Sequence, residues 1–206
     1  MAVSFALFGT LVDADLPSDP ATAVAAELRA RDVSVPPDFE ATYRETHVDA
    51  PDGAEVPLPA HVSAALAARD IEAPNNAARR AVVAAFDPTV QRRDGVEAAL
   101  AAAREHGPVA LCANCRVPEL ARRTLIRADL RDAFDSVVTS AACGWRKPDE
   151  RAFRTVARRL EVPPAELVHV GDDPATDGGI VDSGGRFVDV RGTSLSALAG
   201  RLEADP

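Results

Sequence analysis

Val3-Ser4-Phe5-Ala6-Leu7-Phe8-Gly9-Thr10-Leu11-Val12-Asp13 opens the chain. Val3 to Phe8 is a short apolar run closed by Gly9, which predicts a buried strand and then a turn. From Asp19 to about Pro88 the texture changes to Ala-rich segments cut by Pro36–Pro37, Pro51, Pro57, Pro59, Pro74 and Pro88. Asp19–Pro20 pairs an N-cap with a proline at the first helical position, and Val24 and Leu28 then share a face. The stretch predicts an insertion of three or four helices. Beyond it strands and helices alternate. A capping-box-like Asp94 and Glu97 open a helix to about Glu105. Strands are predicted at 108–112, 134–138, 167–170 and 186–190, and helices at 117–127, 149–160, 175–183 and 195–202. In the helix at 149–160, Phe153, Val156, Ala157 and Leu160 form one apolar stripe. Strands separated by helices define an α/β chain with a parallel sheet covered on both faces. In such sheets ligands sit at the carboxyl ends of the strands.

With 206 residues, nearly half of them apolar, the chain has the material for one cored domain, or one domain with an insertion. Its net charge of −9 argues against nucleic acid, whose phosphates need clustered Lys and Arg. Lys147 is the single lysine among 23 basic residues, the rest being arginine. Arginine bias with abundant Asp predicts a salt-adapted, halophilic protein, because salt screens the self-repulsion of a carboxylate-rich surface. Codon bias alone explains the arginines equally well, but the Asp excess less well. Cys112, Cys115 and Cys143 make an odd count without a disulfide framework, as suits a reducing cytoplasm. Met1 to Val12 lacks a basic leader and a cleavage site. No run reaches the ~18 apolar residues of a membrane span. The expectation is a soluble, cytoplasmic protein.

The remaining strand ends carry the chemistry. They are Leu111-Cys112-Ala113-Asn114, then Gly144-Trp145-Arg146-Lys147-Pro148-Asp149, then Val170-Gly171-Asp172-Asp173-Pro174-Ala175-Thr176-Asp177. Carboxylates clustered at 172–177 suit a hard cation such as Mg2+, which takes oxygen ligands and bridges to phosphate. Lys147 supplies point charge to phosphate oxygens; the plain alternative is a surface lysine. Cys112 and Cys115 form a CxxC at a strand end, the placement of a thiol–disulfide pair. Packing by two small apolar side chains is the favoured alternative there. His47, His61, His106 and His169 lack ligand spacing and read as surface or packing residues.

These stretches, in this order, resemble the haloacid dehalogenase-like (HAD) superfamily. The resemblance implies a Rossmann-like core at residues 1–15 and 90–206 and a helical cap at 16–89. It implies that the first strand should end in a nucleophilic aspartate, which forms a covalent intermediate; the matching residue is Ala6. The second strand should end in a phosphate-binding hydroxyl; the matching residue is Ala113. Asn114, Lys147 and Thr10 match substrate-binding positions. Asp172 matches the principal metal carboxylate, supported by Asp173 and Asp177. Phe8 replaces the aspartate that serves family phosphatases as general acid and base. Asp13 and Asp15 lie past the turn, too far along to replace Ala6.

The resemblance therefore implies the scaffold of a hydrolase of the Mg2+-dependent phosphate-ester type, acting on a small phosphorylated or related molecule, with dehalogenase-like chemistry left open by Phe8, and inactive or severely impaired as written. Loss of a nucleophile costs ~10⁶ in rate, and loss of a hydroxyl donor ~10²–10³. Mg2+ affinity should fall with the missing carboxylate. The alternatives are a non-catalytic phospho-ligand binding or regulatory protein, and a thiol-redox protein using Cys112 and Cys115.

Overall fold

The computed structural model describes residues 1–192 and 194–203. Strand β1 (Ala2–Phe5) is buried along its whole length. Past it the N–H groups of Leu11 and Val12 both donate to Leu7 O, at 2.9 and 3.1 Å, and close a tight turn around Gly9. β2 (Val12–Ala14) follows. Next come four helices, α1 (Pro20–Arg29), α2 (Phe39–Arg44), α3 (Leu58–Ala67) and α4 (Ala77–Ala85). β3 (Val90–Arg92) then pairs antiparallel with β2, so the chain enters and leaves the helical insertion side by side. Asp19 caps α1 by accepting from Thr22 N at 3.1 Å. Val24 and Leu28 are both buried, as their shared face requires.

The chain continues through α5 (Val96–His106), β4 (Val109–Ala113), α6 (Leu120–Arg127), β5 (Ser136–Thr139), α7 (Ser140–Cys143), α8 (Glu150–Arg159), β6 (Leu167–Gly171), β7 (Arg186–Asp189) and α9 (Leu198–Glu203). The five core strands lie in the order β5-β4-β1-β6-β7, all parallel. The α/β parallel-sheet expectation is borne out. β1 is central, and the chain builds the sheet first to one side of it and then to the other. The crevice beyond the carboxyl end of β1 is thus the switch point where such sheets bind ligands.

Alternate residues of the strands face opposite layers, as a two-residue period demands. Val3, Phe5, Val109, Leu111, Val168 and Val170 join one core cluster. Ala2, Ala110, Cys112 and Leu167 join the other, together with the α8 stripe of Phe153, Val156, Ala157 and Leu160. The first cluster runs on without a break into the insertion, through Val24, Leu28, Leu58, Leu66 and Val82.

Two local expectations differ from the structure, and one feature is new. The Asp94–Glu97 capping box does not form: Gly95, at φ +83°, precedes α5, no side chain caps it, and Glu97 meets Arg92 at 2.8 Å. The helix expected at 175–183 is a continuous 3-10 helix, Asp177–Ser183, with two weak helix formers, Gly178 and Gly179, near its start. The paired ribbon of β2 and β3 carries no local signal, since each strand has three residues. No helix among the described residues is long and apolar enough to cross a membrane.

Candidate active site

The carboxyl ends of β1, β4 and β6 enclose a cleft of about 170 Å³, lined by Ala6, Phe8, Ala113, Asn114, Lys147 and Asp172 among others. Ala6 keeps its strand hydrogen bond to Val170 O, at 2.9 Å, and is 5 % exposed. Ala113 is 4 % exposed. Two methyl groups therefore face the cleft from adjacent strands.

Lys147 comes from the loop before α8 and is buried. Its ammonium donates to Cys112 O at 2.8 Å and to Asp177 Oδ1 at 2.5 Å. His169 Nε2 lies 3.2 Å from the same nitrogen and 3.1 Å from Asp177 Oδ1. On its other side His169 Nδ1 meets Ser4 Oγ at 2.8 Å. Phe153 closes the ring in, edge-on, at 5.2 Å between centroids.

Burial, and then the Lys147 charge, push His169 down to about 4, so the ring is neutral near pH 7. Burial works against the Asp177 carboxylate, but the His169 hydrogen bond and the Lys147 charge outweigh it. Together they hold Asp177 well below the usual carboxylate range. Isolated, either ion would be prohibitively costly at this depth; paired and hydrogen-bonded to neighbours, both are tolerated. Gly171 makes room for the pair, because a Cβ there would run into the Asp177 carboxylate.

The other predicted residues have defined places. Asn114 is clamped to the Lys147 backbone in both directions: its Nδ2 donates to Lys147 O at 2.9 Å and its Oδ1 accepts from Lys147 N at 2.8 Å. Thr10 is fully buried and donates its hydroxyl to Asp172 Oδ1 at 2.6 Å. It orients that carboxylate. Gly9, at φ +75°, lies directly against Asp172, and any Cβ would collide with it. Arg93 pins the same turn by donating to Gly9 O. Asp173 is exposed and caps its own loop, accepting from Ala175 N at 3.0 Å and Thr176 Oγ1 at 2.9 Å.

A magnesium ion needs several oxygen ligands in a near-octahedral set. Among the described residues no group of three or more His, Cys, Asp or Glu side chains is arranged to hold a metal ion. Asp177 is committed to Lys147, Asp173 to its loop, and position 6 offers a methyl. The side chains present do not form a Mg2+ cradle on their own.

The structure adds two residues to the site, His169 and Ser4. They are paired across β1 and β6 in register. The signal for them was a single strongly polar side chain in each of two otherwise apolar buried strands, where a polar group needs a partner. His47 and His61 pack inside the insertion, bonded to Thr42 O and Tyr43 O at 2.7 Å each. Cys112 and Cys115 are free, buried and in different core clusters. Burial raises both thiols, Cys112 to about 11, so little reactive thiolate is present at neutral pH.

A parallel α/β sheet with a helical insertion behind its central strand, and a Lys–Asp pair at that strand's carboxyl end, defines a hydrolase-type scaffold. The sequence profile of the haloacid dehalogenase-like hydrolases matches residues 2–179, and the chain belongs to that family. The resemblance read from the strand ends is borne out. Among curated relatives, haloacid dehalogenase-like hydrolase domain-containing protein 3 of Bos taurus is 36 % identical over 89 residues, 43 % of this chain and 35 % of that protein. The Homo sapiens protein of the same name is 46 % identical over 48 residues, 23 % of this chain and 19 % of its own length. The matches thus span about a third or less of these relatives. The fold is similar to 2-haloacid dehalogenase from Pseudomonas syringae pv. Tomato DC3000, with a TM-score of 0.64, 18 % identity and 98 % of both chains covered. It is also similar to a HAD phosphatase from Thermococcus onnurineus, with a TM-score of 0.58, 20 % identity, and 98 % and 97 % covered.

Proposed function

We propose that the cleft binds the phosphoryl group of a small molecule and that the chain turns it over at or near background. One observation carries this reading: Ala6 and Ala113 face the same cleft as Lys147 and Asp172. A methyl has no lone pair to attack phosphorus, and no O–H to donate to a phosphoryl oxygen. The buried Lys147–Asp177–His169 cluster remains whole. Its neutral histidine decides what Lys147 offers. When Nε2–H donates to Asp177, the ring no longer accepts from Lys147, and one ammonium proton is left for a ligand oxygen. Backbone N–H groups at the strand ends would complete the phosphate contacts. Phe8 adds a third deficit, since general acid–base help is worth ~10²–10⁴ in rate. A binding or regulatory role without turnover is the second reading, favoured by a charge cluster that survives where the nucleophile does not.

The test compares the chain with the double variant Ala6→Asp, Ala113→Ser on a panel of phosphate esters and haloacids, with Mg2+ present. The assay includes Mg2+ because the restored aspartate would place a second carboxylate beside Asp172. The expected outcome is background turnover for the chain and clear hydrolysis of at least one phosphate ester by the variant. A variant silent across the whole panel overturns the hydrolase-scaffold reading.

A further inference from the structure

We infer that the ligand's organic part is a neutral apolar group, an aryl ring or short branched alkyl chain, seated in a slot between the helical insertion and the sheet. This rests on the phosphoryl-site reading above for the position of the phosphate. A second cavity, of about 240 Å³, adjoins the cleft, and Phe8 and Asn114 line both. Its walls include Phe8, Leu16, Tyr43, Leu58, Phe86 and Leu120. The insertion supplies Leu16, Tyr43, Leu58 and Phe86, and the core supplies the rest. An apolar cavity of about 150 Å³ accommodates benzene, so this slot takes a ring with a few further carbons.

Several of the slot's polar groups are already engaged. Both polar atoms of the Asn114 side chain bond to the Lys147 backbone. Cys115 Sγ donates to Val117 O at 3.4 Å. Arg116 is the slot's one cation; its Nε donates to Val56 O at 3.1 Å and lies 3.3 Å from Glu55 Oε1. The Glu55 side chain is 3 % exposed, so a buried carboxylate offsets the charge of the guanidinium beside it. A sugar or nucleotide would surrender the water around several hydroxyls there and find few replacements. An aromatic or aliphatic group gains from burial against six apolar walls.

Because Ala6 prevents turnover, equilibrium binding is measurable on the full chain itself. Calorimetric titration with inorganic phosphate, glycerol phosphate and phenyl phosphate separates the contributions. Phenyl phosphate should bind at least about tenfold tighter than either of the others, the scale of a few buried carbons. Phe86→Ser and the half-buried Leu16→Ser should each shrink that ratio. If inorganic phosphate binds and phenyl phosphate binds no tighter, the slot inference fails while the phosphoryl site stands. A preference for glycerol phosphate, or an undiminished ratio in both variants, also overturns it. If none of the three binds, the phosphoryl reading fails and the slot falls with it.

Discussion

Lys147, Asp177 and His169 depend on one another's charge state, so single substitutions among them should act through the partners left behind. Asp177→Asn strands a buried ammonium and should cost about 3–5 kcal/mol in urea unfolding, far above a surface change. His169 makes stability depend on pH. Its folded value is about 4 against an ordinary 6.5, so between those limits the unfolded chain binds the proton more readily. Stability from this residue is complete above pH 6.5, declines as pH falls toward 4, and then levels off. The full effect is about 3 kcal/mol. Urea midpoints of the chain and of His169→Gln across that window check it: the variant should lose this portion of the slope. A parallel slope in both proteins would remove His169 as its source.

At the scale of elements, α8 binds the lysine loop to the insertion. Asp149 caps the helix by accepting from Arg151 N at 2.9 Å. It also holds the Arg151 guanidinium, which lies 3.3 Å from the centroid of the Trp145 ring and donates to Asp52 O at 3.0 Å. Asp149→Ala should therefore destabilise the protein by about 1–2 kcal/mol, the upper part of the range for a lost N-cap. Thermal unfolding measures it; no change would mean that Arg151 caps the helix unaided. The cap at Asp19 was legible because a cap and its helix are neighbours in sequence, whereas Asp149, read as the first residue of its helix, is the cap of α8. The β2–β3 ribbon was not legible, because its two halves sit on either side of the whole insertion and recognise only each other. The capping box at Asp94 failed for a related reason. Arg92, one residue beyond the ribbon's centre, draws Glu97 away.

Over the whole molecule, one apolar cluster joins the sheet to the insertion helices. Such continuity predicts a single cooperative transition rather than separate melting of two parts. Trp145 emission and far-UV circular dichroism should trace coincident urea curves. With a net charge of −9, the midpoint should also rise as KCl is raised, since salt screens the repulsion of the folded surface. Two resolved transitions would contradict the shared core, and a midpoint indifferent to KCl would contradict the salt-adapted reading of the composition.

By itself the sequence determined the alternation of strands and helices, the strand ends that meet at the crevice, and the methyl groups at positions 6 and 113. All of these follow from local periodicity and from side-chain identity at a strand terminus. Only the tertiary structure decided what Lys147 touches. Cys112, His169, Asp177 and Ser4 reach it or its partners from three different strands and the start of a 3-10 helix, through parallel register that no local pattern encodes. The same holds for the apolar slot, whose walls come from opposite sides of the β2–β3 ribbon. Burial then makes these meetings consequential. In water the ammonium, carboxylate and imidazole would be weakly coupled, whereas inside the sheet each sets the charge state of the next.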